Sequence, residues 1–456
     1  MRKIPKLSFN SDLHKKHFGK DFIWGVSTSA LQTEGAWNEH DKGLSTWDVF
    51  VEKRGKILNN HSHKTAADFY SLYKTDIEII ASLNIPNFRF SISWSRIFPN
   101  GIGKVNQKGV DFYNRIIDLC IEKNIEPWIT LYHWDLPNEL EKKGGWANRE
   151  IVNWFEEYVA FCCQKFKDRI KYWMVLNEPM VFTGSGYYLG VHAPGKKGLK
   201  HFLPAVHHAV LCQANGQKII KSIQATASVG STFSCSYISA FSNSKKNLAA
   251  VKRSDALVNR LFIEPALGLG YPIADLPFLK QIENYMKPGD EELMKADFDF
   301  IGIQNYTREV VKHKFYVPYI KAKPIPANKR KVFHTSMNWE VYPEGIYEMI
   351  KQFDKYDGIK KIIITENGAA FPDSIENKKV NDSQRVHFIS NYLEQVLKAK
   401  KEGLKIDGYF VWSLTDNFEW AEGYHPRFGL VHIDFETQKR TIKESGFWYK
   451  TFLSNQ

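Results

Sequence analysis

KYWMVLNEP at 171–179 and KIIITENG at 361–368 are built alike: a short run of apolar and β-favouring side chains ends on a glutamate, Glu178 in the first and Glu366 in the second. Such runs, bounded by Pro or Gly, read as strands buried on both faces. Each glutamate is therefore predicted to stand where a strand stops. Six further runs carry the same signature, at 21–29, 86–93, 126–133, 227–234, 298–305 and 406–413, so that with 171–177 and 361–366 the predicted strands number eight. Between them the apolar spacing becomes helical, as at Phe69, Leu72, Tyr73, Ile77 and Ile80, at Val110, Tyr113, Ile117, Cys120 and Ile121, at Ile151, Trp154, Phe155, Tyr158 and Cys162, and at Ile389, Tyr392, Leu393, Val396 and Leu397.

Alternating strands and helices with no low-complexity linker predict an α/β chain with parallel strands. Eight such units in 456 residues fit a single (β/α)8 TIM barrel with extended βα loops over residues 1–456, although a doubly wound sheet shows the same local pattern. Polar residues at the strand ends favour the barrel, whose functional side chains project from the C-terminal ends of several strands. Gln32 follows WGVSTSAL, Arg89 lies in NFRFSISW, His133 ends WITLYH, Asn305 and Tyr306 end DFIGIQNY, and Trp412 lies in GYFVWSL. A doubly wound sheet would gather such groups at one crevice.

Composition narrows the function classes. Apolar residues make up 43% and charged residues 25%, and no stretch approaches the roughly eighteen consecutive apolar residues that a bilayer span needs. The first twenty residues are basic and polar without an apolar segment, so no secretory signal is expected and the predicted compartment is the cytoplasm. Five cysteines (Cys120, Cys162, Cys163, Cys212, Cys235), without metal-site spacing and all in the first 235 residues, read as buried thiols in a reducing environment. The net charge of +12 comes from lysines spread along the chain. The one dense basic stretch, Lys312 to Lys331, carries Pro318, Pro324 and Pro326 and reads as a solvated loop, so neither nucleic acid nor a membrane is an expected partner. His61 with His63, and His207 with His208, lie away from strand ends and are not taken as metal ligands.

Two carboxylates at the ends of the fourth and seventh strands, facing each other across a barrel mouth, are what glycosidic cleavage needs. One carboxylic acid protonates the bridging oxygen, and the other carboxylate meets the positive charge developing at the anomeric carbon. At about 5 to 5.5 Å the second attacks directly and forms a covalent glycosyl-enzyme. At that spacing and an effective dielectric of about 20, their repulsion is roughly 3 kcal/mol, enough to keep one protonated near neutral pH while the other is ionised.

LNEP at 176–179 and ITENG at 364–368, with LYHWDLP at 131–137 and VWSLTDNFEW at 411–420, resemble glycoside hydrolase family 1, the β-glucosidase family. The similarity runs from FIWGVSTSALQTEG at 22–35 to RFGLVHIDF at 427–435. The resemblance implies a barrel that retains anomeric configuration and needs no cofactor and no metal, with Glu178 as general acid/base and Glu366 as nucleophile. It implies that Gln32, His133, Asn177, Glu419 and Trp420 bind sugar hydroxyls, that Trp412 lies beneath the sugar, and that Arg89 and Tyr306 support the nucleophile. Trp134, Gln304 and Phe428 join the candidate substrate contacts, as does Trp339 in MNWEVYPEG, which resembles a tryptophan that stacks on the leaving group. Physically, sugar hydroxyls suit amide and carboxylate partners, and the C–H face of a sugar suits an indole. Trp154 and Trp448 read instead as packing residues.

Members acting on sugar 6-phosphates carry serine where this chain has Glu419, so the resemblance implies neutral glycosides as substrates. One departure stands out: Gln304-Asn305-Tyr306 replaces the family's usual Asn-Tyr-Tyr, with a glutamine one methylene longer than asparagine beside the site. Hydrolysis and transglycosylation differ only in what intercepts the intermediate, and the sequence leaves that choice open, together with the preferred sugar, the leaving group and any homo-oligomer. A sugar-binding barrel without catalysis is a third reading, disfavoured because both glutamates are retained.

Overall fold

A parallel strand covered on both faces needs β-branched and aromatic residues almost throughout, and Ile362, Ile363, Ile364 and Thr365 supply them in the seventh strand. The computed structural model describes residues 13–454; residues 1–12, which carry most of the basic N-terminal stretch, and residues 455–456 lie outside the described residues. Every predicted run holds one barrel strand: β1 Ile23–Ser27, β2 Asn87–Ser91, β3 Glu126–Tyr132, β4 Tyr172–Asn177, β5 Ser228–Ser234, β6 Phe300–Gln304, β7 Ile362–Asn367 and β8 Ile406–Trp412. They close in chain order, each parallel to its neighbours and β1 paired with β8. A helix follows each strand: α1 Phe69–Ser82, α2 Gln107–Glu122, α3 Ile151–Phe166, α4 Leu199–Ile223, α5 Lys245–Asp255, α6 Glu344–Asp354, α7 Ser383–Lys401 and α8 Glu444–Ser454.

Two cores result. Between strands and helices lies a large apolar shell that takes in the buried faces of α1, α2, α3 and α7. Inside the barrel Trp128, Met174, Phe300, Ile363 and Phe410 form a separate plug, with Trp128 stacked on Tyr172 at 3.8 Å between ring centroids. The plug fills the barrel's interior, which leaves polar side chains to gather at the C-terminal ends of the strands.

Two sequence readings need adjustment. Ile121 is 45% exposed, one position past the buried stripe of α2, and Leu72 and Trp154 are only partly buried. The basic stretch from Lys312 is not simply a loop. Arg308–His313 pairs parallel with Tyr237–Ala240 and antiparallel with Ala322–Pro324, a small sheet built from the segments after β5 and β6. Its lysines face outward while Val311 and Ala322 are buried against Ile238 and Ala250, so burial of these apolar residues prevailed over the proline signal. The five cysteines are free and buried, and among the described residues no helix is long and apolar enough to cross a membrane. His63 pairs with Asp48, His207 with Asp290 and Tyr271, and His208 Nδ1 donates to the Trp146 carbonyl.

Gly368, just past β7, marks how closely the barrel ends approach one another. A Cβ there would lie 1.8 Å from the Trp412 carbonyl oxygen, a backbone atom that cannot swing away. Gly368→Ala is expected to cost about 1–3 kcal/mol through forced backbone movement, seen as a lower midpoint in thermal unfolding; an unchanged midpoint counts against this close approach.

Candidate active site

Glu178 and Glu366 reach the barrel mouth through irregular strand ends. Ile363 belongs to the interior plug, so strict two-residue alternation would turn Glu366 toward the helices. The register of β7 shifts between Ile364 and Glu366, and that of β4 shifts between Met174 and Asn177. Such shifts re-aim side chains. Beyond β4, Glu178 itself takes the left-handed conformation at φ 46°, and Pro179 opens a short helix, Pro179–Thr183. Consecutive residues Asn177 and Glu178 thereby both serve the same opening.

A cavity of about 300 Å³ occupies this opening. Twelve of the fourteen candidate residues line it: Gln32, His133, Trp134, Glu178, Gln304, Tyr306, Trp339, Glu366, Trp412, Glu419, Trp420 and Phe428. The other two, Arg89 and Asn177, are fully buried directly behind it. Arg89 donates to Glu366 Oε1 at 2.5 Å through Nη1, to Asn177 Oδ1 at 2.6 Å through Nη2 and to Thr130 Oγ1 at 3.0 Å through Nε. Tyr306 donates its hydroxyl to Glu366 Oε2 at 2.6 Å, so each oxygen of that carboxylate has a donor.

Asn177 Oδ1 also accepts from Thr232 Oγ1 and Gln304 Nε2, each at 2.8 Å, and three donors on one oxygen fix the amide's orientation. Its Nδ2 then faces His133 Nε2 at 3.1 Å, which must accept and leaves the ring proton on Nδ1. Burial, aided by the charge of Arg89, holds His133 well below the usual histidine range, so the ring is neutral. On the other wall Gln32 Nε2 donates to Asn417 Oδ1 at 3.1 Å and Glu419 Oε2 at 3.2 Å. Trp134 packs on Trp420 at 4.3 Å and anchors its Nε1 on the Asn177 carbonyl at 2.8 Å. Trp412 and Phe428 form an apolar group to which Tyr306 and Trp339 add their rings.

The acids differ in their surroundings. Burial raises both glutamates, but at Glu366 the Arg89 charge and the bonds from Tyr306 and Arg89 oppose it. Glu178 is lifted well above the carboxylate range, first by burial and then by the charge of Glu366, with only a bond from the Ser234 side chain and the Arg89 charge acting against this. Glu419 is pushed up to about 8, by burial and by the Glu366 charge. Of these three, Glu366 is the one whose charge has donors to support it, while Glu178 and Glu419 are pushed toward their neutral forms. Among the described residues no lysine or arginine lines the cavity.

The whole described length beyond the N-terminal residues matches one sequence family, glycosyl hydrolase family 1, over residues 14–456. The chain belongs to glycosyl hydrolase family 1. It is 41% identical to beta-glucosidase A of Acetivibrio thermocellus over 97% of this chain and 99% of that one. It is 42% identical to the 1,4-beta-D-glucan glucohydrolase of Thermotoga neapolitana over 96% and 99%. The solved structure of a family 1 b-glucosidase from Thermotoga maritima superposes with a TM-score of 0.92 at 41% identity, covering 96% of this chain and 98% of that one.

Within this family 1 barrel, Gln304 spends its extra methylene on reach: its Nε2 bonds Asn177 and, at 3.2 Å, Thr232. Asn305 turns away, donating to the Cys235 and Thr307 carbonyls. Sequence reasoning missed Ser234, although it ends a predicted strand and the strand-end rule should have selected it. It also missed Val181, His192, Met337 and Glu309, which line the cavity from segments inserted after the barrel strands, whose course no periodicity reveals.

Tyr306→Phe removes a bond to a charged oxygen worth about 1.5–3 kcal/mol. The charged form loses support, so the Glu366 carboxyl is expected to titrate at higher pH than in wild type, measured by carboxyl-specific NMR or difference infrared spectroscopy. A shift to lower pH contradicts the arrangement described.

Proposed function

We propose that this chain is a retaining β-glycosidase of the β-glucosidase type, which releases terminal β-D-glucosyl or related residues from small neutral glycosides. The observation that carries the reading is the unequal environment of two glutamates in one cavity: Glu366 held by Arg89 and Tyr306, Glu178 buried with no cation in contact. The relatives named beta-glucosidase support the glucosyl preference.

In the first step Glu366 attacks the anomeric carbon, and Glu178 gives its proton to the departing oxygen. A covalent glycosyl-enzyme results and the leaving group departs neutral. The bond to carbon removes the charge of Glu366, and with it the repulsion that favoured protonated Glu178. Glu178 can then take a proton from water, whose oxygen displaces Glu366 and restores the anomeric configuration. Trp412 beneath the sugar, with Gln32, His133, Asn177, Glu419 and Trp420 on its hydroxyls, would hold the ring. Trp134, Gln304, Trp339 and Phe428 complete the walls. A sugar 6-phosphate would enter beside Glu419 with no cation in the lining to receive it, which supports neutral substrates. The closed barrel that carries both acids supports one catalytic domain, and five buried free thiols support the cytoplasm as its compartment.

Activity needs Glu366 charged and Glu178 protonated. Going down in pH it should fall as Glu366 gains a proton, and going up it should fall as Glu178 loses one, a bell in kcat/KM on an aryl β-glucoside. A flat profile from mildly acid to mildly alkaline pH speaks against these roles. Glu366→Ala should lower turnover by about 10³-fold or more, and azide should restore it with an α-glycosyl azide as product. A β-configured azide from that variant, or undiminished turnover, removes Glu366 as nucleophile.

A further inference from the structure

Lysines occur along the whole chain, but acids offset them almost everywhere except in two segments. Residues 236–254 carry four lysines and arginines and no acid, and residues 308–331 carry eight against one acid, Glu309. Twelve cations against one acid make eleven of the chain's twelve net positive charges, and the rest of the chain is nearly balanced. The fold brings the two segments together. Tyr237–Ala240 pairs with Arg308–His313, Ala250 of α5 packs with Val311 and Ala322, and Arg253 of α5 donates to the Ile320 carbonyl at 2.6 Å. The same unit exposes apolar side chains: of the five large aromatic residues that are exposed among the described residues, it holds Phe241, Phe315, Tyr316 and Tyr319, with Phe315 at 81%. Lys312 lies over the Phe241 ring at 4.8 Å and Lys314 over that of Tyr316 at 5.9 Å, so cations and rings interleave.

Within this sheet like charges face each other. Lys312 stands opposite Lys323, and further along the Lys314 N–H donates to the Lys321 carbonyl at 3.1 Å. Like charges directly opposite destabilise a strand pair, and among the described residues none of these four lysines forms an ion pair. The unit's three arginines are already engaged: Arg308 and Arg330 bond Glu340, and Arg253 bonds backbone carbonyls. An unpaired basic surface set with exposed rings marks an interaction site for something anionic. Recognition of nucleic-acid phosphate draws on the planar fork of arginine, whereas lysines are point charges on flexible stems and suit a diffuse anionic layer. Phe315 and Tyr316, in the turn that joins Arg308–His313 to Ala322–Pro324, suit a layer with hydrocarbon beneath its charge. We infer that this unit is a docking surface for an anionic phospholipid bilayer: Phe315 and Tyr316 enter the headgroup layer, and the four lysines meet lipid phosphates. Docking of this kind needs no spanning helix. It goes beyond the glycosidase reading and is independent of it.

Co-sedimentation with vesicles tests the surface, using phosphatidylcholine alone and an equal mixture of phosphatidylcholine and phosphatidylglycerol. The wild-type chain should pellet with the mixed vesicles and not with the neutral ones, and should be released as salt rises from about 0.1 M to about 1 M. Each lysine at an anionic surface strengthens binding about fivefold. Lys314→Gln combined with Lys323→Gln should therefore weaken binding about twentyfold, and Phe315→Ser about tenfold. These side chains are exposed or half-exposed, so both variants should keep the wild-type thermal midpoint. Lys355→Gln combined with Lys401→Gln removes the same charge elsewhere and should bind as wild type does. The docking surface is overturned by failure to bind the mixed vesicles, by equal binding to the neutral ones, by undiminished binding of both variants of the unit, or by an equal loss in the Lys355 and Lys401 variant. Binding of single-stranded DNA in place of the vesicles overturns it as well.

Discussion

A guanidinium sealed from water must find its counter-charge inside the protein, and Arg89 finds it in Glu366. Its three nitrogens bind side chains on three other strands: Thr130 on β3, Asn177 on β4 and Glu366 on β7. Those bonds span the barrel interior above the apolar plug, so β2, which contributes no side chain to the cavity wall, fixes the two strand ends that do. Leaving Arg89 unpaired would cost about 3–5 kcal/mol, which makes Glu366 structural as well as chemical. The same pairing orients Asn177, and through it Gln304 and His133.

Around this bridge the backbone departs from relaxed geometry where site residues sit. Trp134, Glu178 and Trp420 all have positive φ, a region that bulky and β-favouring side chains seldom enter. Conformations of that kind persist only when their surroundings over-determine them. The surroundings do so here: Trp134 is tied to the Asn177 carbonyl and packed on Trp420, and Glu178 is held between Pro179 and Thr232, whose carbonyl accepts its N–H at 2.9 Å. Buried charge outside the mouth works the same way. Lys443 and Arg385 join Asp373, Asp382 and Asp416, pinning the segment that carries Glu419 and Trp420 against the last two helices.

All eight strands were legible because a strand buried on both faces leaves a short run of apolar and β-favouring residues; the strand-end rule brought Gln32, His133, Glu178, Tyr306, Glu366 and Trp412 to one cavity, and the family resemblance brought the other six that line it. Register was not legible. The shifts before Asn177 and Glu366 leave no mark in IIITEN or WMVLN, since they arise from pairing with neighbouring strands. The course of the inserted segments was equally hidden: Glu309 reads as an ordinary surface acid in sequence, yet the small sheet of Tyr237–Ala240, Arg308–His313 and Ala322–Pro324 brings it to the cavity lining. Gln304 shows the middle case, visible as a departure but readable only through the partners its longer arm reaches.

Charge balance explains why the arrangement can cycle. Among the carboxyls that line the cavity, Glu178, Glu366 and Glu419 act on one another through their charge, and Arg89 is the cation bonded to one of them, Glu366. One positive charge supports one negative charge in a water-poor site, so the other two acids keep their protons, and the position of Arg89 decides that Glu366 is the charged one. In the proposed reaction, capture of the sugar cancels that negative charge without moving Arg89. The uncompensated cation then favours ionisation of the nearest remaining acid, which is the change Glu178 must undergo to act as a base. A single guanidinium thus supports the nucleophile in the first step and prepares its partner for the second.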